Sequence, residues 1–256
     1  MRTDSCMPLA PPITYEVSIV IPIYNGSHLL EKHISPFLEW LRLQPYTTEV
    51  ILVDDGSSDS ADTLAFARQK NIHGIALPIN KGKGAALKKG FEKATGNIHL
   101  FTDADIPFQY HNIDTLVGLL RSDPQRLIIG DRTDPRSDYF EKASFLRNLG
   151  SNTVSMLVNR FFVRNITDTQ CGLKGMGKEV SLRLFKNSCI HRFAIDIELI
   201  YLAHRKNIPI LKMPVQIRYN DKSSVHVARD GLKLLLDIYR IKKLHGQRPK
   251  STSRDI

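Results

Sequence analysis

Length, composition and charge limit what this chain can be. Its 256 residues are 42% hydrophobic, so the chain is long enough to form one large core. The 36 Lys and Arg exceed the 26 Asp and Glu by a formal charge of +10, which predicts anionic partners such as phosphates or an anionic membrane surface. Nucleic acid is excluded as a partner, because no helix-turn-helix, RNP, KH or zinc-finger pattern occurs.

Cysteine content and hydropathy indicate the compartment. The three cysteines, Cys6, Cys171 and Cys189, show no C-x-x-C spacing, which favours a reducing compartment over a disulfide framework or a zinc site. No uninterrupted apolar segment approaches the ~20 residues of a bilayer crossing. We also expect no secretory signal, because the N-terminal residues lack a sustained apolar core. We therefore expect a cytoplasmic protein, at most peripheral on the cytoplasmic face of a membrane. Residues 1–14 are predicted to be a flexible lead-in, 15–246 one domain and 247–256 a disordered tail.

Two β-branched runs near the N-terminus predict strands of a parallel sheet buried on both faces. The first run ends in Pro22, Tyr24 and Asn25, and the second ends in Asp54 and Asp55. In such sheets ligands bind beyond the carboxyl ends of strands, where ionised carboxylates can accept hydrogen bonds from a base or ribose. The alternative for the two aspartates is an Asx-turn over residues 54 to 57.

A glycine-rich segment, Asn80-Lys81-Gly82-Lys83-Gly84, follows the third predicted strand and leads into a helix. The free N–H groups of Lys81 and Gly82, together with the helix dipole, are candidates to face a diphosphate. The alternative is a helix start that needs glycine for close packing against the sheet.

The run Asp103-Ala104-Asp105 follows the fourth predicted strand and carries the most chemistry. A hard cation such as Mg²⁺ or Mn²⁺ is typically held by one or two carboxylates plus substrate phosphate oxygens. We expect Asp105 to bind the metal and Asp103 to bind the ribose, or the metal through water. This arrangement suits a nucleotide diphosphate, so the polar residues at the earlier strand ends become candidates to bind a nucleotide sugar.

Three later segments add charged candidates. Arg132, after a strand, is expected to pair with a phosphate or, alternatively, with Asp134. Asp196 is either a helix cap or, with Glu198, one of two candidate general bases for a hydroxyl acceptor. A phosphate acceptor needs no base but does need positive charge, which the late segments supply through Lys174, Arg192 and Lys222.

In this order the motifs resemble the family 2 glycosyltransferases of GT-A fold, and within them the polyprenyl-phosphate sugar transferases. The segment from Asp168 to Lys174 matches their D-x-Q-C-G-x-K, residues 192 to 199 resemble R-[WF]-x-x-D-x-E-L, and Lys222-Ser223-Ser224 echoes a late basic and serine element. The resemblance covers residues 16 to 244. Gly26, where many relatives carry Glu, and Ile106-Pro107, where mannosyl-transferring members often carry Leu-Gln, depart from the pattern.

The resemblance implies an α/β fold with a Rossmann-like, mostly parallel mixed sheet in a single domain. It further implies an inverting, metal-dependent enzyme that moves a hexose from a UDP- or GDP-sugar to a polyprenyl phosphate, with UDP-glucose the first choice. The implied catalytic residues are Asp103, Asp105, Asp168, Asp196 and Glu198, and Ser223 joins the acceptor-binding residues. The alternatives are a soluble transferase acting on a sugar or protein hydroxyl, and a catalytically silent scaffold that binds membranes or anions.

Two basic amphipathic helices are predicted near 145–164 and 228–244. In the second, Leu232, Leu235, Leu236 and Tyr239 share one face and basic residues occupy mostly other faces. The apolar face either packs on the sheet or lies on a membrane surface. The oligomeric state is not indicated by any pattern.

Overall fold

A computed structural model describes residues 14–139, 166, 168–218 and 227–246. The chain forms a central seven-stranded sheet and a separate two-stranded ladder. The strands of the sheet are β1 (Val17–Ile23), β2 (Thr48–Asp54), β3 (His73–Ala76), β4 (Ile98–Phe101), β5 (Leu127–Asp131), β7 (Lys174–Gly177) and β8 (Ile210–Pro214). The ladder pairs β6 (Asp138–Tyr139) with β9 (Gln216–Ile217).

Strand order in the large sheet is β3-β2-β1-β4-β7-β5-β8, and only β7 runs antiparallel to its neighbours. The predicted Rossmann-like, mostly parallel mixed sheet is confirmed. Because β7 is reversed, it starts at the edge where the other strands end. Lys174, its first residue, pairs with Phe101 at the end of β4 and with Ile129 of β5. This register places a lysine directly beside the D-x-D segment.

Helices cover both faces of the sheet. They are α1 (Ser35–Leu41), α2 (Ser60–Lys70), α3 (Lys83–Phe91), α4 (His111–Ser122), α5 (Lys178–Phe185), α6 (Ile195–Arg205) and α7 (Val227–His245). A short 3₁₀ turn (Ser27–Leu29) and a π turn (Leu30–Ile34) precede α1. Alternate residues of β1 point into two separate cores, Ile19 and Ile21 into one and Val20 into the other, as expected for a strand buried on both faces.

A third, smaller core joins α7 to α6. Ile238 and Ile241 are buried against Ile197 and Tyr201. The face predicted to be apolar points elsewhere, because Leu236 and Tyr239 are 54% and 66% exposed. The helix therefore packs through one stripe and leaves part of a second apolar stripe in solvent.

Several predictions fall on residues that the structure does not describe. They are the lead-in up to residue 13, the helix at 145–164, Lys222 and Ser223, and the tail from 247. Within the described ranges, no helix has both the length and the apolar character that crossing a bilayer requires.

Candidate active site

The end of β2 is held by backbone hydrogen bonds to its two aspartates, both of which are buried. Asp54 Oδ1 accepts the Ser57 N–H at 2.9 Å, which is the Asx-turn, and Gly56 adopts a left-handed φ of +69° within it. Asp55 accepts the N–H groups of Lys81 at 2.9 Å and Gly82 at 2.6 Å. The prediction that these two N–H groups are free to face a diphosphate is therefore wrong, since Asp55 already binds them. Burial raises the pKa of Asp55 and these hydrogen bonds oppose that rise.

The glycines at the start of α3 allow a close approach between two segments. A Cβ on Gly82, whose φ is +103°, would lie 2.5 Å from the His191 carbonyl oxygen, and one on Gly84 would lie 2.4 Å from the Ile190 carbonyl oxygen. The Ala85 N–H also donates to the His191 carbonyl at 3.1 Å. Glycine is required here, but for packing against the loop at 190–192 and not against the sheet.

The centre of the site is a network of two lysines and two aspartates. Lys83 Nζ lies 2.8 Å from Asp103 Oδ1 and 3.0 Å from Asp196 Oδ2. Lys174 Nζ lies 2.6 Å from Asp196 Oδ1 and donates to the Cys171 carbonyl at 2.7 Å. Asp196 thus bridges two ammonium groups, and both lysine side chains are buried.

Electrostatics keeps this network ionised. Burial alone would raise the pKa of Asp196, but the ammonium groups of Lys174 and Lys83 hold it below the ordinary aspartate value. Burial would lower the pKa of Lys83, but Asp103 and Asp196 raise it above the ordinary lysine value. Sequence reasoning missed Lys83. Its only signal was its position between two glycines at a helix start, and its partner Asp196 is 113 residues away.

Asp168 and Arg132 form a second ion pair beside this network. The Arg132 side chain binds both carboxylate oxygens, at 2.7 and 2.8 Å, and its backbone N–H donates at 2.9 Å. Burial opposes ionisation of Asp168, yet the Arg132 contacts lower its pKa. The predicted alternative pair between Arg132 and Asp134 is wrong, because Asp134 binds Arg136. The paired guanidinium still faces the same edge of the sheet.

Glu198 does not join Asp196. Residues two apart on an α-helix point about 200° apart, and the fully buried Glu198 carboxylate accepts the N–H groups of Cys189 and Ile190, both at 2.9 Å. Its Oε1 also lies 2.7 Å from His245 Nε2. Of the two candidate general bases, Asp196 therefore lies beside the D-x-D through Lys83, whereas Glu198 is bound elsewhere.

The D-x-D carboxylates form the remaining part of the site. Asp103 is 42% exposed, Asp105 is half-buried and Ala104 between them is buried. These are hard oxygen donors at the edge of the sheet, the donor type that Mg²⁺ and Mn²⁺ prefer. Gly172 lies against them, since a Cβ there would be 2.1 Å from Asp103 Oδ2.

The other predicted residues lie around this centre. Asn25 Oδ1 accepts the Ser58 N–H at 3.0 Å, which ties the end of β1 to the turn after β2. Tyr24 is 53% exposed beside it, and Pro22 lies within β1. Arg192 is exposed on the loop that packs against the α3 glycines.

Comparisons with known proteins agree with one another. The model of the glycosyl transferase family 2 matches residues 18–185. The chain is 31% identical over 242 residues to a dolichyl-phosphate beta-glucosyltransferase of Drosophila melanogaster, covering 88% of this chain and 74% of that one. It is 33% identical over 217 residues to the Homo sapiens dolichyl-phosphate beta-glucosyltransferase, covering 79% and 67%.

Among solved structures, the chain is similar to glucosyl-3-phosphoglycerate synthase from Mycobacterium tuberculosis, in a crystal with Mn²⁺, UDP and glucosyl-3-phosphoglycerate. The TM-score is 0.68 at 18% identity, with 92% of this chain and 82% of that one covered. At this identity the likeness concerns the fold alone, and it confirms the predicted GT-A fold.

Proposed function

The chain belongs to glycosyl transferase family 2, and we propose that it moves a hexose, first of all glucose, from a nucleotide sugar to a polyprenyl phosphate. The phosphate oxygen attacks the anomeric carbon as the bond from that carbon to the diphosphate oxygen breaks. One such in-line displacement inverts the anomeric centre. The observation that carries this proposal is the ion-paired state of Asp196.

The acceptor class is argued from that ion pair. A hydroxyl acceptor must lose a proton and needs a base within hydrogen-bond reach. Asp196 is a poor base, because it is bound to Lys83 and Lys174 and its pKa is held low. Glu198 is occupied by backbone N–H groups. An anionic phosphate needs no deprotonation, and two buried ammonium groups beside the D-x-D are suited to balance its charge.

The donor side is argued from the strand ends. Tyr24, Asn25 and Asp55 surround the turn after β2, and Asp103 follows β4, which lies on the other side of β1. We propose that the nucleoside of the donor lies across these ends, with the diphosphate toward Lys83. The similar Mycobacterium enzyme was crystallised with UDP and Mn²⁺, and UDP-glucose remains our first choice of donor.

Asp105, with Asp103, would hold a divalent cation. The cation, when bound, neutralises charge on the leaving diphosphate. Lys83 already binds Asp103, so this lysine keeps the D-x-D carboxylate oriented and is positioned to bind the diphosphate oxygens.

We also propose contact with an anionic membrane surface, since a polyprenyl phosphate is a lipid. Leu236 and Tyr239 are exposed on α7, with Arg240 and Lys243 exposed near them. Each such basic residue contributes about 1 kcal/mol near an anionic surface and is screened by salt. The full chain should sediment with anionic vesicles at low salt. Leu236→Glu should reduce the fraction of protein that sediments with them. Neutral vesicles should bind neither the wild type nor the variant.

The transfer itself is tested with two matched acceptors. Purified chain, UDP-[¹⁴C]glucose and Mn²⁺ are incubated with a polyprenyl phosphate or with the corresponding polyprenol in the same detergent, and labelled lipid is extracted. We expect product from the phosphate and none from the alcohol. With the phosphate acceptor, a parallel incubation with GDP-[¹⁴C]mannose should give less labelled lipid than UDP-[¹⁴C]glucose does. Product from the polyprenol would contradict the acceptor assignment.

A lysine pair on α3 tests the site. Lys83→Met should lower kcat/KM by roughly 10²- to 10³-fold, the usual loss for one electrostatic group of an active site. Lys89→Met on the same helix is the control, because that side chain is 42% exposed and lies in an exposed pair with Glu92. Equal activity of the two variants, with unchanged melting temperatures, would contradict the role of Lys83.

A further inference from the structure

Away from the D-x-D edge, one cluster combines three different metal-binding groups. The thiol of Cys189, the carboxylate of Glu198 and the imidazole of His245 each offer a ligand atom, and these atoms all lie within 4.8 Å of one another. In the part of the chain that the structure describes, no other group of three His, Cys, Asp or Glu side chains comes this close. The cysteine spacing in the sequence predicted no zinc site. His245, however, is 47 residues from Glu198 along the chain, and the packing of α7 on α6 brings the two side chains together.

We propose that Cys189, Glu198 and His245 bind Zn²⁺, with water as the fourth ligand. Sulfur, imidazole nitrogen and carboxylate oxygen are the usual zinc ligands, and a site with three protein ligands keeps one open position. Mg²⁺ takes oxygen ligands and would not select a thiol. The cluster is therefore distinct in chemistry from the D-x-D carboxylates.

The three ligand atoms lie close enough together for one ion to bind all of them. At ordinary zinc bond lengths, tetrahedral geometry separates neighbouring ligand atoms by about 3.4 to 3.6 Å. His245 Nε2 is now 2.7 Å from Glu198 Oε1, so the ion would replace that hydrogen bond with a bond to each group. Cys189 Sγ lies within 4.8 Å of a ligand atom of each of these two residues, which is near the separation that one shared ion requires.

The Glu198 carboxylate is fixed in orientation by backbone hydrogen bonds, as carboxylates that bind metals commonly are. The carboxylate is fully buried and accepts the N–H groups of Cys189 and Ile190, the loop that supplies the thiol. Hydrogen bonds of this kind orient ligating carboxylates in metal sites. Cys189 is exposed, which gives an ion a route to the buried oxygen atoms. A bound ion would join three segments: the loop before α6, the first turn of α6 and the last residue of α7.

Cobalt is the probe, because a thiolate bound to Co²⁺ gives a charge-transfer band that oxygen ligands do not. The full chain is freed of metal with a chelator, kept reduced and titrated with Co²⁺ and then Zn²⁺. We expect one equivalent of Co²⁺ with the thiolate band, displaced by Zn²⁺, and a rise in melting temperature on binding Zn²⁺. Asp105→Asn should keep the band, so the result does not depend on the proposed transferase function.

The variants are conservative and have a matched control. Cys189→Ser should abolish the band, and His245→Gln, which can still donate to Glu198, should weaken binding at least tenfold. His204→Gln removes an exposed histidine of α6 and should bind as wild type does. Absence of the band in wild type, or an undiminished band in folded Cys189→Ser, overturns the proposal.

Discussion

Two regions of the site hold their aspartates by different kinds of partner: the end of β2 uses backbone N–H groups, and the central network uses lysine side chains. At the end of β2, Asp54 and Asp55 accept backbone N–H groups from residues no more than 27 positions away. At the centre, Asp196 binds two lysine ammonium groups, one of them 113 positions away. The first arrangement fixes the shape of a turn and a loop. The second balances charge, and its side chains can change partner when a cation or phosphate enters.

This difference predicts unequal costs for the same substitution. Asp196→Asn leaves the buried ammonium of Lys174 without its carboxylate, and breaking one partner of a buried pair typically costs about 3 to 5 kcal/mol. We expect a loss of this size in the free energy of urea unfolding. Asp62→Asn, an exposed carboxylate on α2, is the control and should change little.

A second variant separates charge balance from packing. Adding Lys174→Met to Asp196→Asn removes the stranded ammonium and should restore part of the lost stability. A loss below 1 kcal/mol in Asp196→Asn, or no recovery in the double variant, would show that the network does not work by charge balance.

At the backbone-held end, Asp55→Asn should cost less. The amide keeps one acceptor oxygen, so one of the Lys81 and Gly82 N–H groups loses its partner, a loss of about 1.5 to 3 kcal/mol for a charge-assisted bond. Hydrogen exchange should show faster exchange at the Lys81 and Gly82 amides. Unchanged exchange there would contradict the loop-holding role of Asp55.

The difference between local backbone partners and distant side-chain partners explains which parts of the fold and site could be predicted from the sequence. The parallel strands and the Asx-turn at Asp54 follow from local patterns of β-branched residues and turn formers, so they could be predicted, and the ordered motifs sufficed to identify the family. The pairs of Lys83 with Asp196 and of Arg132 with Asp168 depend on the reversed strand β7 and on α6. No local pattern encodes such pairings. The spacing of Asp196 and Glu198 likewise left open which of the two lies in the site, because that depends on how the helix packs.

The buried side chain of His99 differs from both sets of aspartates, because burial keeps this group neutral and so makes stability depend on pH. Burial, with Lys178 nearby, lowers the pKa of His99 on β4 from 6.5 to about 4. The unfolded chain then binds more protons between these pH values, so stability is full above about pH 6.5 and falls as the pH drops toward 4. By pH 5 the loss is about 2 kcal/mol. His99→Leu should flatten the change in unfolding free energy between pH 7 and 5 relative to wild type, whereas His204→Gln should not.

The smallest effect on the free energy of unfolding is expected for Gly172→Ala, beside Asp103 of the D-x-D. A Cβ at Gly172 would lie 2.1 Å from Asp103 Oδ2 and 2.8 Å from its Cγ. Asp103 is 42% exposed and can rotate away, so Gly172→Ala should cost only about 0.5 to 1.5 kcal/mol. The rotation takes the carboxylate from Lys83 and from the proposed metal position, so calorimetry should show weaker binding of UDP with Mn²⁺. Gly118→Ala, on α4 with nothing within 4 Å of its new Cβ, is the control and should bind as wild type does. If Gly172→Ala also binds UDP and Mn²⁺ with wild-type affinity, the orientation of Asp103 does not govern donor binding.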